Sequence, residues 1–444
     1  MPKNMTKGNL AKALIVFSIP LILSGVLQQM YNWADAFIVG HAEGENALAA
    51  IGATHAITSL LIMALTGFTS GVSILSARYF GTEDLDAQKK ILYNFLMVLG
   101  SVFLCLSILG VTLAKPVLTV LQTPSDIFEL SKTYLQITML GIPFLTIYNV
   151  YSAVLRGIGD SKAPFYAVLV SSVVNVVLDI LFVTILGWSV TGAALATVLS
   201  QVIMTIFIVM YAIKRYEMLR FHLDKTLKNS QILRQGMLLS LPIAIQSLVT
   251  SGGDLILQGF MNGFGTITVA AITTAYRVDR VILIPVVNLG TGIATVTSQN
   301  LGAGEYDRVK KCLFIGTGVT AAFSVCLSVV VVLFGGNLVA LFGVSPESVE
   351  IGAEFFKALG CYYFIYALVV AFRGYLEGIG QVQFSSIIDI ISLGVRIFLS
   401  YALVSFFGNM VIAYAEAFSW CFLLIAYLLW FACNRKKTTW KALH

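Results

Sequence analysis

Gly71, Gly81, Lys89 and Lys90 recur 221 positions later as Gly292, Gly302, Lys310 and Lys311, and this offset constrains the fold more than any other feature of the chain. Leu155 to Gly159 (LRGIG) returns as Leu376 to Gly380 (LEGIG), Gly187 as Gly408, and Lys214-Arg215 as Arg435-Lys436. So regular a match means two copies of one structural unit. Near the start the register slips by one, because Ile19-Pro20 matches Leu241-Pro242. The duplication therefore embraces the whole chain.

Composition says where such a unit can live. With 58% hydrophobic and 11% charged residues and a mean hydropathy of +0.88, the chain is too apolar for a soluble protein of 444 residues. Apolar runs of about 20 residues, enough to cross the ~30 Å hydrocarbon layer as helices, occur six times in each half. The predicted spans are 13–39, 47–77, 91–114, 133–155, 163–186 and 190–213, then 236–260, 268–298, 312–334, 351–372, 384–407 and 411–433. The expected architecture is an all-α polytopic membrane protein with an N-terminal six-helix lobe (1–214), a basic cytoplasmic linker (215–235) and a C-terminal six-helix lobe (236–444). An even number of spans returns the chain to its starting side, so the halves share one orientation. A pseudo-two-fold axis along the membrane normal relates them, a common frame for alternating access.

Charge sets the orientation. With a cytoplasmic N-terminus, 22 of the 28 lysines and arginines fall on cytoplasmic segments, Arg373 among them. Only Lys115 and Lys132 fall outside, and Arg277, Arg280, Lys357 and Arg396 lie within spans. Both termini are thus expected in the cytoplasm of a cell (inner or plasma) membrane protein. The same pattern explains the net charge of +6, which implies no nucleic-acid partner. The first apolar stretch is too long for a signal-peptide core and lacks a cleavage site. The six cysteines show no paired spacing, so neither a disulfide nor a metal site is implied. His55 is the only histidine within a span, and helix packing accounts for it.

Two carboxylates lie within the spans of the first half, Asp35 and Asp179. Ionisable groups at that depth are costly unless partnered, which makes them functional candidates. Asn175 lies one turn before Asp179 on the same helical face. Thr197 is in the next helix. Asp179 lies roughly 12 Å below the turn at Gly187, Thr197 about 10 residues beyond that turn, and Asp35 roughly 8 Å inside its helix end. The four can converge in depth. Two carboxylates, an amide and a hydroxyl form an oxygen cage for a small hard cation. Equally, the carboxylates can share a proton, and the alternative to both is a structural hydrogen-bonded pair.

The duplication supplies an internal control. At the repeat offset Asn175, Asp179 and Thr197 become Arg396, Ser400 and Phe418, while Asp35 falls on Ile256 at that offset or, with a short gap, on Asp254. The constellation is absent from the second copy, which predicts a single cation site in the first lobe. The second lobe instead carries intramembrane charges, among them Asp254, Arg277, Asp279, Arg280, Glu354, Lys357, Asp389, Arg396 and Glu416. By depth, Asp254, Arg277, Arg396 and Glu416 reach the outer half together. They read either as neutralising structural pairs or as a substrate or secondary charge site.

Ile19 to Gly40 (IPLILSGVLQQMYNWADAFIVG), Arg156 to Pro164 (RGIGDSKAP), and Asn175, Asp179 and Thr197 resemble the multidrug and toxic compound extrusion (MATE) family, prokaryotic type. The resemblance covers nearly the whole chain. It implies a secondary active exporter of amphiphilic, often cationic, compounds, an antiporter driven by inward Na+ or H+. It also implies that Asp35, Asn175, Asp179 and Thr197 bind the coupling cation, that Pro20 acts as a hinge in the first helix, and that the protein is a monomer. Proline removes a helical hydrogen bond and favours a kink, so a static kink is the alternative for Pro20. The resemblance extends to a branch whose cation site uses second-lobe carboxylates, where Asp254 is the match.

No enzyme is expected. The GxGD string of intramembrane aspartyl proteases occurs at Gly157 to Asp160, but in a cytoplasmic turn whose repeat keeps the glycines and loses the acid. No GxxxxGK[ST] string serves a nucleotide, and no cofactor beyond the coupling ion is implied. The expected partners are the lipid bilayer and small organic molecules, for which 12% aromatics and 12 methionines suit an adaptable apolar cavity. A lipid-linked saccharide flippase of the same superfamily is the alternative function.

Overall fold

The computed structural model describes residues 4–222 and 224–434, and among them every regular element is helical. The recurring Arg435-Lys436 pair and the other C-terminal basic residues lie outside the described residues, as does Lys3. In chain order the elements are α1 (Leu10–Gly81), α2 (Leu85–Thr112), α3 (Ala114–Val120), α4 (Phe128–Gly157), α5 (Lys162–Asp179) and α6 (Ser189–Arg215). The second half has α7 (Ser230–Asn262), α8 (Thr266–Gly302), α9 (Tyr306–Ala340), α10 (Pro346–Gly360), α11 (Tyr363–Gly378), α12 (Val382–Ala402), α13 (Val404–Phe407) and α14 (Val411–Asn434). Caps mark some starts: the Asp84 carboxylate accepts from the Ala87 amide ahead of α2, and Ser345 caps α10 with Pro346 at its first position.

Among the described residues ten helices are long and apolar enough to cross a membrane, and α10 with α11 makes an eleventh. The twelfth span comes from α1, whose 72 residues are interrupted at Gly44, where φ is 77° and ψ −166°. The expected pair of spans, 13–39 and 47–77, is therefore two helices that meet at a kink at Gly44, with one non-helical residue between them. The predicted span 351–372 also departs from expectation, because α10 and α11 are bent by 52° across Cys361 and Tyr362. The span 163–186 is not α-helical to its end. After Asp179 the chain widens into a π-helix over Ile180–Ile185. Arg373 lies inside α11 rather than in a cytoplasmic loop.

Backbone conformation carries the duplication more sharply than residue identity. Residues with left-handed φ pair across the halves at the repeat offset: Gly44 with Gly265, Glu83 with Gly304, Gln122 with Gly343, Gly159 with Gly380, and Gly187 with Gly408. At the conserved GIG turns, the Asp160 amide donates to the Leu155 carbonyl at 2.9 Å and the Gln381 amide to the Leu376 carbonyl at 2.8 Å. Both are the helix-terminating bond that a left-handed glycine permits. Five positions thus keep a left-handed φ in both copies although only three of the five are glycine in both.

By contacts the chain forms two compact units. One contains Ile19–Ala244, and the other Met5–Ser18 with the chain from Ile245 onward. The boundaries fall inside α1 and α7, beside Pro20 and Pro242. In the first unit, Val39, Ala47, Ala50, Ile127, Tyr134, Val183, Val190, Ala193 and Ala194 form a buried apolar cluster that ties α1, α4, α6 and the π-helix together. The GIGD turn is also anchored here. Asp160 accepts from the Lys162 and Ala163 amides at the start of α5 and from the Tyr211 and Tyr216 hydroxyls, at 3.0 and 2.7 Å. Burial and this carboxylate raise the Tyr216 phenol well above its ordinary pKa. In the second unit a larger core is built on Phe355, Phe356, Leu359, Tyr363 and Trp420.

Candidate functional site

α5 presents a polar stripe to the interior of the first unit. Ser172, Asn175 and Asp179 are spaced three and four apart, so they share one face, and all three are buried. Their side chains have no partners there. The Ser172 hydroxyl, both amide atoms of Asn175 and both carboxylate oxygens of Asp179 are enclosed and bond to nothing among the described residues. Buried polar groups are almost always satisfied. A run of unsatisfied ones on one face makes that face a candidate binding surface.

Asp35 on α1 joins this stripe. Its carboxyl lies within hydrogen-bonding reach of Asp179, and its Oδ1 is likewise enclosed without a partner. As carboxylates both groups only accept, so no hydrogen bond can join them until one carries a proton. Tyr31, one turn before Asp35, and Tyr134 on α4 stand close enough to feel both charges. The apolar cluster lies one turn further along, at Val39 after Asp35 and Val183 after Asp179. It closes one end of the site.

Thr197 is placed less firmly. The Ser171 hydroxyl on α5 donates to the Ser200 carbonyl on α6 at 3.1 Å. Because the helices run antiparallel, one turn along α5 to Asn175 matches one turn back along α6 to residues 196 and 197. Thr197 therefore lies level with Asn175, but it is only half-buried and its hydroxyl bonds to none of the other three. Asp35 and Asp179 are brought together, Asn175 lines the same face, and Thr197 adjoins it. Ser172, Tyr31, Tyr134 and the π-helix are additions. A π-turn next to a functional residue is a recurrent arrangement, and nothing in the apolar run ILFVTI announces it.

Pro20 lies within α1 without breaking it, and the Ser24 hydroxyl donates to the Pro20 carbonyl at 2.8 Å. The break in α1 is at Gly44 instead.

The corresponding region of the second unit is built differently. Arg396, which stands where the first copy has Asn175, donates to the Glu416 carboxylate and to the Tyr276 hydroxyl, both at 2.9 Å. Tyr276 in turn donates to Glu416 at 2.9 Å and presents its ring to the guanidinium. Asp254 is near enough to interact with Arg396. The Tyr363 hydroxyl donates to Asp279, which also feels Glu416. Arg277 joins none of this; among the described residues it has no ion pair or hydrogen bond. A second, partly buried network links Arg373 to Glu377 at 2.9 Å and to Asp389 at 3.1 Å, with Gln246 and Tyr427 donating to Asp389. Sequence reading missed Arg373 and Glu377 because they sit in and beside the LEGIG turn motif. Among the described residues no group of three or more His, Cys, Asp or Glu side chains is arranged to hold a metal.

Comparison with known proteins gives the family and the fold. A family model described as MatE matches residues 20–181 and 242–402, two stretches that open at Pro20 and Pro242 and follow the internal repeat. The probable multidrug resistance protein YpnP of Bacillus subtilis (strain 168) is 28% identical, over 99% of this chain and 98% of its own length. The multidrug export protein MepA of Staphylococcus aureus (strain NCTC 8325 / PS 47) is 24% identical, over 90% of this chain and 89% of its own. Among solved structures, one described as MATE in the bent conformation shares the fold with a TM-score of 0.90 at 22% identity, covering 99% of this chain and 97% of that one.

Proposed function

The chain belongs to the MatE family, and on that premise we propose that it is a secondary active multidrug exporter coupling efflux of amphiphilic organic compounds to inward movement of Na+ or H+. Members of this family are transporters, so the chain is a multi-pass membrane transporter and not an enzyme. Multidrug efflux rests on its relatives, YpnP and MepA, at near full-length coverage.

The observation that carries the coupling reading is the set of enclosed, unsatisfied oxygens on Asp35, Asn175 and Asp179. Two carboxylates held together in a medium that cannot solvate them repel one another. A proton shared between them, or a sodium ion with the amide oxygen and the Thr197 hydroxyl as further ligands, relieves that repulsion. Occupation by substrate on the same lobe would then compete with the cation, which is the linkage an antiporter needs. In the second unit Arg396 is a tethered cation on Glu416, so that carboxylate is already neutralised. We assign one exchangeable cation site per chain, in the first unit. Pro20, beside the unit boundary, is the proposed hinge through which occupation of that site reshapes α1.

Efflux of ethidium from proteoliposomes, with sodium and pH gradients imposed separately, tests the reading. Export that requires one gradient and disappears in Asp179→Asn supports it and names the ion. Gradient-driven export indifferent to Asp179→Asn would move coupling elsewhere, and no export of any organic cation would favour the flippase.

A further inference from the structure

The second unit holds a cavity of about 520 Å³ lined by Asn262, Gly265, Thr266, Val269, Ala270, Thr273, Thr274 and Arg277. Its main wall is one face of α8, because positions 266, 270, 273 and 277 fall within about 60° of each other on a 3.6-residue helix. The face reads hydroxyl, methyl, hydroxyl, guanidinium. Thr274, buried to 6% exposure, also lines the cavity, and its hydroxyl has no partner among the described residues. Arg277 is exposed and, among the described residues, pairs with no carboxylate. An arginine about 16 Å along a membrane-crossing helix is costly against lipid, so it belongs in a water-filled recess. At the cavity's other end α8 begins at Gly265, which has no side chain to cap the first amides. Those amides favour negative charge.

The internal repeat shows that the fold does not need these groups. The residues matching Thr266, Val269, Ala270, Thr273, Thr274 and Arg277 in the first copy are Glu45, Leu48, Ala49, Gly52, Ala53 and Ala56. Three hydroxyls and the arginine are present in the second copy only, and an acid stands in the first where α8 has Thr266. The first unit offers clustered carboxylates, whereas this recess offers donors and one unpaired positive charge.

We infer that this cavity is an oxyanion-recognition site of the exporter, taking the carboxylate or phosphate of an amphiphile on Arg277 with Thr273 and Thr274, and its apolar body along Val269 and Ala270. The inference rests on the export reading and extends its substrate class from organic cations to anionic and zwitterionic amphiphiles. A guanidinium is the side chain best matched to such groups, because its fork of N–H donors pairs with two oxygens at once.

Equilibrium binding of fluorescein, a carboxylate dye, and of ethidium to the purified protein in phosphatidylcholine nanodiscs tests it without relying on transport. Arg277→Gln is expected to weaken fluorescein binding by about 10- to 100-fold, the worth of a charged hydrogen-bond pair, and to leave ethidium binding unchanged. Arg277→Lys should lose less, and Thr274→Val should weaken fluorescein severalfold. Adding phosphatidylglycerol separates the sources: displacement of fluorescein from wild type but not from Arg277→Gln identifies a lipid headgroup as an occupant, and no displacement leaves the soluble amphiphile. Absence of fluorescein binding to wild type, equal binding by Arg277→Gln, or parallel loss of ethidium would each overturn the inference. Wild type that binds fluorescein through Arg277 but exports no cation would instead remove the export reading and leave this site standing.

Discussion

Arg396→Asn gives the second unit the residue that the first unit has at the matching position, and the structure states what should happen. The substitution removes the 2.9 Å ion pair to Glu416 and the 2.9 Å hydrogen bond from the guanidinium to the Tyr276 hydroxyl. Glu416 is left with one donor, Tyr276, in a site where its side chain is 12% exposed. Removing one partner of a buried pair costs about 3–5 kcal/mol. Arg396→Asn should therefore melt well below wild type in detergent. Combining it with Glu416→Gln should recover most of the loss, because a neutral pair leaves no buried charge. Sodium or acid should also stabilise the single variant selectively, since a cation that takes the guanidinium's place adds about 2.7 kcal/mol at 100 times its dissociation constant. A single variant within about 0.5 kcal/mol of wild type, or a double variant no better than the single, would refute the view that Arg396 is a tethered cation.

Two further outcomes follow from the turns. Gly159→Ala and Gly380→Ala, at φ 84° and 91°, should each lower thermal stability by about 1–2 kcal/mol and by similar amounts, because the two turns are the same structure; a large effect at one and none at the other would contradict the conformational repeat. Asp160→Asn should cost about 1.5–3 kcal/mol through its bonds to Tyr211 and Tyr216, readable as a lower melting temperature, and an unchanged melt would show the turn is held without them.

Asp35 and Asp179 were legible in the sequence because an acid in an apolar run is rare, and Asn175 followed from helical spacing. Tyr31 and Tyr134 were not, since tyrosines are frequent in this chain and nothing local marks those that face a carboxylate. Nor was the π-helix after Asp179, because the six residues ILFVTI read equally well as α-helix. The bend between α10 and α11 falls at Cys361 and Tyr362, directly after Gly360, and a lone glycine in an apolar run does not by itself announce a bend. Gly44 differs again: its repeat partner Gly265 separates α7 from α8, and comparing the two copies by turn position would have exposed the break. Arg396 and Glu416 were grouped correctly by depth, whereas Arg277 was grouped with them and stands apart, because depth does not say which way around a helix a side chain points.

Counting the exchangeable cations bound per chain addresses the central claim most directly, by equilibrium binding of labelled sodium and by proton release measured calorimetrically in buffers of differing ionisation enthalpy. One cation per chain is expected in wild type, none in Asp179→Asn, and one still in the Arg396→Asn, Glu416→Gln double variant. Cation binding that survives Asp179→Asn, or that is lost only when the second unit is altered, would contradict the account.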